Sequence, residues 1–231
     1  MPASPTSRTS APRWATFDCY GTLIDWNLGI RTELERLFGV EAAPRLLERY
    51  HELEPEIESE SEPFHTYREV LTLALERLAQ DESVQIPEGE ADALAKSLPD
   101  WSPFPDVPPA LAELRDRGWM LALLSNTDRD LIEASQRQLG VPVDLAIVAE
   151  DVGSYKPAHG HWERFFEATT ADRETYVHVA ASLFHDIAPA RELGLKSVWI
   201  NRLGEQPQPK PDRELTDLTD LPDTLEELVP T

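Results

Sequence analysis

A chain of 231 residues has room for one large domain, or for a core carrying a smaller insert. Its 43 Asp and Glu against 21 Lys and Arg leave a formal net charge of -22, which argues against nucleic acid as a partner because phosphate backbones need a basic face. No apolar run approaches the ~20 residues that cross a bilayer, and the single cysteine, Cys19, excludes an intrachain disulfide, so a cytoplasmic enzyme or binding protein with no membrane role is expected.

In chain order, residues 1–13 are rich in Ser, Thr and Pro and read as a loose tail. Trp14 to Cys19 is a short apolar run broken by Asp18 and followed by Tyr-Gly-Thr, the pattern of a buried strand entering a turn. From about Trp26 to Asp100 the periodicity is helical. Leu34, Leu37 and Phe38 share one face, Leu46, Leu47, Tyr50 and Leu53 a second, and Tyr67, Val70, Leu71, Ala74, Leu75 and Leu78 a third. Eight glutamates between Glu41 and Glu62 read as a solvated face. Five prolines between Pro99 and Pro109 close this region.

Strands then alternate with helices. Strands are expected over Trp119–Leu124, Leu145–Val148, Tyr176–Ala180 and Ser197–Ile200, and helices over Val107–Arg117, Asp128–Leu139, His159–Ala168 and Ile187–Leu193. This is the signature of an α/β protein with a Rossmann-like, doubly wound parallel sheet. The long helical stretch after the first strand makes a helical cap inserted over 26–100, with the core formed by 14–25 and 101–231. The Pro-rich segment from Gly204 is expected to wrap the surface.

Ligands of such sheets sit at the carboxyl ends of the strands. There the sequence offers Asp18 and Thr22, then Ser125 and Asn126, then Lys156, then Asp186. A nucleophilic or acid–base carboxylate, two hydrogen-bonding side chains, an ammonium and a second carboxylate converge on one crevice. His159 and His161 have no third ligand nearby, so no metal site is expected there. Cys19, alternating with Asp18, reads as packing, as do Trp101, Phe104 and Trp119.

This ordered set resembles the haloacid dehalogenase superfamily. Phe17-Asp18-Cys19-Tyr20-Gly21-Thr22-Leu23-Ile24-Asp25 is similar to its first motif, Leu124-Ser125-Asn126 to its second, Tyr155-Lys156-Pro157 to its third and Asp186 to its fourth. Ser197 to Arg202 resembles the last core strand of the 2-haloacid dehalogenase branch. Tyr20 and Ala181 stand where phosphatases of the superfamily carry aspartates that protonate the leaving group and help to hold magnesium. The resemblance therefore implies hydrolytic dehalogenation of a small 2-halocarboxylate, with no metal and no cofactor. Asp18 would be the nucleophile, Lys156 would keep it ionised, Thr22 would steady it, and Asp186 would complete the catalytic set. Ser125 and Asn126 would bind the substrate carboxylate, with Tyr20 beside them. Arg49 in the cap, with Arg45 as its nearest rival, would cradle the halide with Asn126. The branch's tyrosine, serine and asparagine around the third and fourth motifs are Trp162, Ala181 and Leu183 here. A magnesium-dependent phosphatase and a catalytically silent binding protein are the alternatives. The small carboxylate is the expected partner, and a homodimer is left open.

Overall fold

The computed structural model describes residues 11–60 and 64–230. Strands β1 (Trp14–Phe17), β2 (Met120–Ser125), β3 (Leu145–Val148), β4 (Tyr176–Ala180), β5 (Lys196–Ile200) and β6 (Arg213–Leu215) form one parallel sheet in the order β3-β2-β1-β4-β5-β6. The chain starts in the middle, builds outward to β3, crosses back and builds out to β6. Its direction reverses between β1 and β4, which opens a crevice at their carboxyl ends. The expected α/β doubly wound fold is present. The central strands are near-continuous apolar runs because both faces of the sheet are covered.

Four helices lie between β1 and β2: α1 (Trp26–Phe38), α2 (Ala43–Ser59), α3 (Tyr67–Asp81) and α4 (Ala93–Ser97). They form the inserted helical cap. Asp25 starts α1 by accepting from Leu28 N at 3.0 Å. Thr66 and Glu69 form a capping box at the start of α3. The apolar faces expected of these helices are buried: Leu34 on α1, Leu46, Tyr50 and Leu53 on α2, and Val70, Leu71, Ala74, Leu75 and Leu78 on α3. One continuous apolar cluster joins them to the sheet through Leu23, Ile24 and Trp101. The opposite face of the sheet has its own cluster around Trp14, Leu124, Trp162, Phe165 and Tyr176.

The remaining helices are α5 (Val107–Asp116), α6 (Arg129–Leu139), the single turn α7 (Ala149–Val152), α8 (Gly160–Ala168), α9 (Ala188–Glu192) and α10 (Leu221–Leu228). Helix α6 ends at Gly140, whose φ of 67° is one that residues with a Cβ seldom adopt. Asp128 stands just before α6, yet its carboxylate reaches across to the cap. It accepts from Tyr67 N at 2.7 Å and Arg68 N at 3.0 Å, the first two amides of α3.

Three expectations need correction or restriction. Residues 1–10 of the expected tail lie outside the described residues, but Arg13 is tied down. Its Nη1 lies 2.6 Å from Glu226 Oε2, and its guanidinium sits 4.7 Å over the Trp119 ring. The segment after Gly204 does more than wrap the surface, because it adds β6 to the sheet edge and packs α10 against the core through Leu221 and Leu225. Finally, β4 does not pass directly into a helix over Ile187–Leu193. A π-type turn over Leu183–Ile187 comes first, and it places Asp186 at the crevice.

The packing of Gly29 gives a direct test of how the cap meets the core. A Cβ added there would lie 2.3 to 2.6 Å from ring atoms of the buried Trp101. In an open helix Gly29→Ala would stabilise by about 1 kcal/mol. Here the overpacking should outweigh that gain and leave the variant roughly 1–3 kcal/mol less stable in urea denaturation. A variant at least as stable as the parent would show that Trp101 yields freely.

Candidate active site

Asp18 leaves the end of β1 at the switch point, and the turn that follows brings Thr22 back beneath it. Thr22 Oγ1 donates to Asp18 Oδ2 at 2.7 Å and accepts from Ala181 N, beyond the end of β4, at 2.9 Å. Lys156, from the loop after α7, is 1% exposed. Its Nζ donates to Asp18 Oδ1 at 2.9 Å, Asp186 Oδ1 at 2.6 Å and Leu124 O at 2.8 Å. All three ammonium hydrogens therefore have acceptors. Burial alone would lower the lysine pKa, but the two carboxylates outweigh it and push the value up to about 12. Asp186 is held below the usual carboxylate range: burial opposes its charge, but Lys156 and His178 overcome that. Its Oδ2 has no hydrogen-bond partner among the described residues.

Beneath these groups runs a buried polar ladder. His178 Nε2 lies 3.0 Å from Asp186 Oδ1 and its Nδ1 lies 2.8 Å from Thr16 Oγ1, which in turn lies 2.6 Å from the Tyr176 hydroxyl. The pairing of Thr16 with His178 across β1 and β4 puts both on one face of the sheet. The polar His178 in an otherwise apolar strand could have drawn attention to it in the sequence. The family pattern, which concerns strand ends, did not.

These residues floor a cavity of about 160 Å³ whose walls include Tyr20, Ser125, Asn126, Ser182 and His185. Of the expected site residues, Asp18, Lys156, Asp186, Ser125, Asn126 and Tyr20 all line it, and Thr22 supports it from below. Ser125 Oγ is buried without a partner among the described residues. The Asn126 amide is already engaged. It accepts from Lys156 N at 2.7 Å and donates to Lys156 O at 3.1 Å and Glu58 Oε2 at 3.2 Å, so it fixes the lysine's backbone. The Tyr20 hydroxyl lies 3.0 Å from Ser135 Oγ and its ring stacks on Tyr67. Cys19 is fully buried.

Arg49 does not join the cavity. It lies on the outer side of α2, where it pairs with Glu52 at 2.6 Å and Asp81 at 2.7 Å. Arg45, its rival, pairs with Glu82. The cap instead presents Glu54 and Glu58 to the cavity, two of the glutamates that the sequence suggested were solvated. They follow Tyr50 at successive four-residue steps, so all three share the inward side of α2. Glu54 Oε1 accepts from the Tyr67 hydroxyl at 2.6 Å, and Glu58 is 9% exposed. Burial raises Glu54 to about 7 and carries Glu58 well above its ordinary range, where the neighbouring Glu54 adds to the effect. Of the residues that stand in for the branch's side chains, Trp162 packs edge-on to His178 inside the lower cluster. Ala181 contributes its backbone, and Leu183 packs against Ala180 and Trp199.

The haloacid dehalogenase-like hydrolase family model matches residues 12–194. The (S)-2-haloacid dehalogenase of Pseudomonas sp. strain YL is 34% identical over 122 residues, so the chain spans about half of that relative (51% of this chain, 52% of the relative). Haloacetate dehalogenase H-2 of Moraxella sp. strain B is 29% identical over 191 residues, covering 81% of this chain and 85% of that protein. The fold is also similar to that of L-2-haloacid dehalogenase from Xanthobacter autotrophicus with chloropropionic acid covalently bound. The TM-score is 0.80 at 18% identity, over 93% of this chain and 98% of the other.

The raised Glu54 carboxyl has a measurable consequence. A folded-state pKa of about 7 against an ordinary 4.5 means that folding favours the protonated form. Its contribution to stability is complete below about pH 4.5 and is lost as pH rises through 7. Glu54→Gln removes this titration. The stability of the variant relative to the parent should rise between pH 5 and pH 8, by on the order of 1 kcal/mol for this half-buried group. Urea midpoints at the two pH values measure it; a pH-independent difference would show that Glu54 titrates normally.

Proposed function

Because the chain belongs to the haloacid dehalogenase-like hydrolase family, we propose that it hydrolyses the carbon–halogen bond of a small organic acid through an ester on Asp18. The observation that carries this reading is the Lys156 ammonium held between Asp18 and Asp186 at the floor of a small cavity. The ammonium holds one oxygen of the Asp18 carboxyl at 2.9 Å, the group that would attack the substrate carbon. Thr22 and Lys156 hold the two carboxylate oxygens from different sides and so fix the plane from which attack starts.

In the first step an Asp18 oxygen bonds to the halogen-bearing carbon, and the halide departs with the bonding electron pair. In the second, water adds to the carboxyl carbon of the ester, the bond from that carbon to the substrate oxygen breaks, and the hydroxy acid and a proton are released. Asp186 lines the cavity, is held below the usual carboxylate range, and has its Oδ2 without a partner among the described residues, which suits it to hold that water. Burial lowers His185 below its usual value, so at neutral pH its ring is available to accept a proton. Ser182 Oγ, 3.2 Å from His185 Nδ1, orients the ring. Ser125 Oγ is the free hydroxyl for a substrate oxygen.

Magnesium-dependent phosphoryl transfer finds less support. Ala181 brings no side-chain oxygen, and Asp18 and Asp186 both direct Oδ1 at Lys156. This set does not fit an ion that favours six hard oxygen ligands. Tyr20, bonded to Ser135, stands where the phosphatases carry their proton donor.

With 2-chloropropanoate at high concentration and a chelator present, the protein should release halide, and intact mass should show an adduct that peptide mapping places on Asp18. Asp18→Asn should lose both, with halide release falling by about a thousandfold or more because the covalent nucleophile is gone, and its circular dichroism should be unchanged. Phosphate release that depends on added magnesium, with no Asp18 adduct, would overturn this reading.

A further inference from the structure

The cavity is rich in acceptors and poor in free donors. Four carboxyl groups line it, Asp18, Asp186, Glu54 and Glu58, against the single ammonium of Lys156. That ammonium has its three acceptors already, the Asn126 amide donates to Glu58 and to Lys156 O, and the Tyr67 hydroxyl donates to Glu54. Trp26 Nε1 donates to the Tyr67 hydroxyl at 3.1 Å. The second oxygens, Glu54 Oε2 and Glu58 Oε1, have no hydrogen bond among the described residues. Independently of this pair, two nearly inaccessible residues that line the same cavity each carry a polar atom without a partner among the described residues. The atoms are Ser125 Oγ, on a residue 0% exposed, and Asp186 Oδ2, on a residue 1% exposed. Buried acceptors without donors are costly, and so are like-charged carboxyls placed together. Both costs fall when a ligand brings N–H groups and positive charge.

We propose that the substrate presented to Asp18 carries a primary ammonium group, which is held between Glu54 and Glu58 on the cap side of the cavity. The inference rests on the aspartyl-ester reading only for the reacting end of the molecule; the ammonium site is defined by the cap. A halide cradle built on an arginine is absent from the cavity lining because Arg49 and Arg45 face outward. In its place two carboxyls, one helical turn apart on α2, line the same cavity. Burial works against charge on both carboxyls, with Asp18 adding to it at Glu54 and Glu54 adding to it at Glu58, and an ammonium placed beside them offsets that cost. A neutral hydroxyl would satisfy the acceptors but leave the charge unmatched, so the ammonium is the better complement. The halogenated compound that fits is a short 2-halo acid with an amine at its far end.

The test separates binding from chemistry. Binding of propylammonium, propanol and propanoate to the intact protein is measured by calorimetry at pH 8. Propylammonium should bind at least tenfold more tightly than either of the others, and the preference should fall below threefold in Glu54→Gln/Glu58→Gln. Both substitutions remove like charge, so the variant should remain folded, and circular dichroism checks this. Equal or tighter binding of propanoate or propanol, or a preference that survives in the folded double variant, would overturn the proposal. In a second arm, 4-amino-2-chlorobutanoate and 2-chlorobutanoate are compared for alkylation of Asp18. The amine-bearing compound should react at least tenfold faster at low concentration in the parent and lose that advantage in the double variant. Alkylation by neither compound would overturn the ester reading while leaving the ammonium result standing.

Discussion

The rest of the site depends on a lysine kept charged in a place where charge is expensive. Moving an ammonium out of water costs several kcal/mol even after relaxation, and the cost is met only by close, well-aligned partners. Lys156 has three of them, at 2.6, 2.8 and 2.9 Å. Two are carboxylates from opposite sides of the switch point, and the third is the last-but-one carbonyl of β2. The ammonium therefore ties three strand ends together. This explains why its own backbone is clamped on both sides by Asn126 and why Asp186 is braced from below by His178.

The sequence makes much of this arrangement legible. Asp18, Ser125, Lys156 and Asp186 sit where strands or their following loops reach the crevice, and their type and order are visible without coordinates. Thr22 is legible for the same reason, four residues into the first turn. The cap is harder to read because its contribution depends on which side of a helix faces inward. Glu54 and Glu58 lie among six other glutamates, and composition alone makes them part of a solvated surface. Arg49 lies in the same helix, and its chemistry suits a halide, but a rotation of the helix face sends it to Asp81 instead. Likewise β6 and α10 follow a proline-rich stretch that conceals them, since a three-residue edge strand has almost no pattern of its own.

The contrast between core and cap also separates reaction from recognition. The core residues form a hydrogen-bonded set of two carboxyls around one ammonium, and the proposed attack on an electrophilic carbon draws on that set. The cap residues supply acceptors with no cation to match. Similarity at TM-score 0.80 to an L-2-haloacid dehalogenase shows the fold and leaves these cap groups open. They stand on helices inserted between β1 and β2, and such an insert can change its polar side chains while the sheet beneath keeps its hydrogen bonds.

The carboxylate of Asp128 fastens the cap to the core at the start of α3. It satisfies the first two amides of α3, and Thr66 takes the third, so that end of the helix is closed by a side chain belonging to the core. Lifting α3 away would exchange these two bonds for bonds to water, a loss of about 1 kcal/mol each. At the other side of the crevice, the Glu58 carboxylate meets the core through a 3.2 Å bond to Asn126 and a 3.7 Å approach to His185. Glu58 thus ties α2 to one wall of the crevice as Asp128 ties the start of α3 to the core. Separating cap from core would break both ties, and one of them is made by a glutamate that itself lines the cavity.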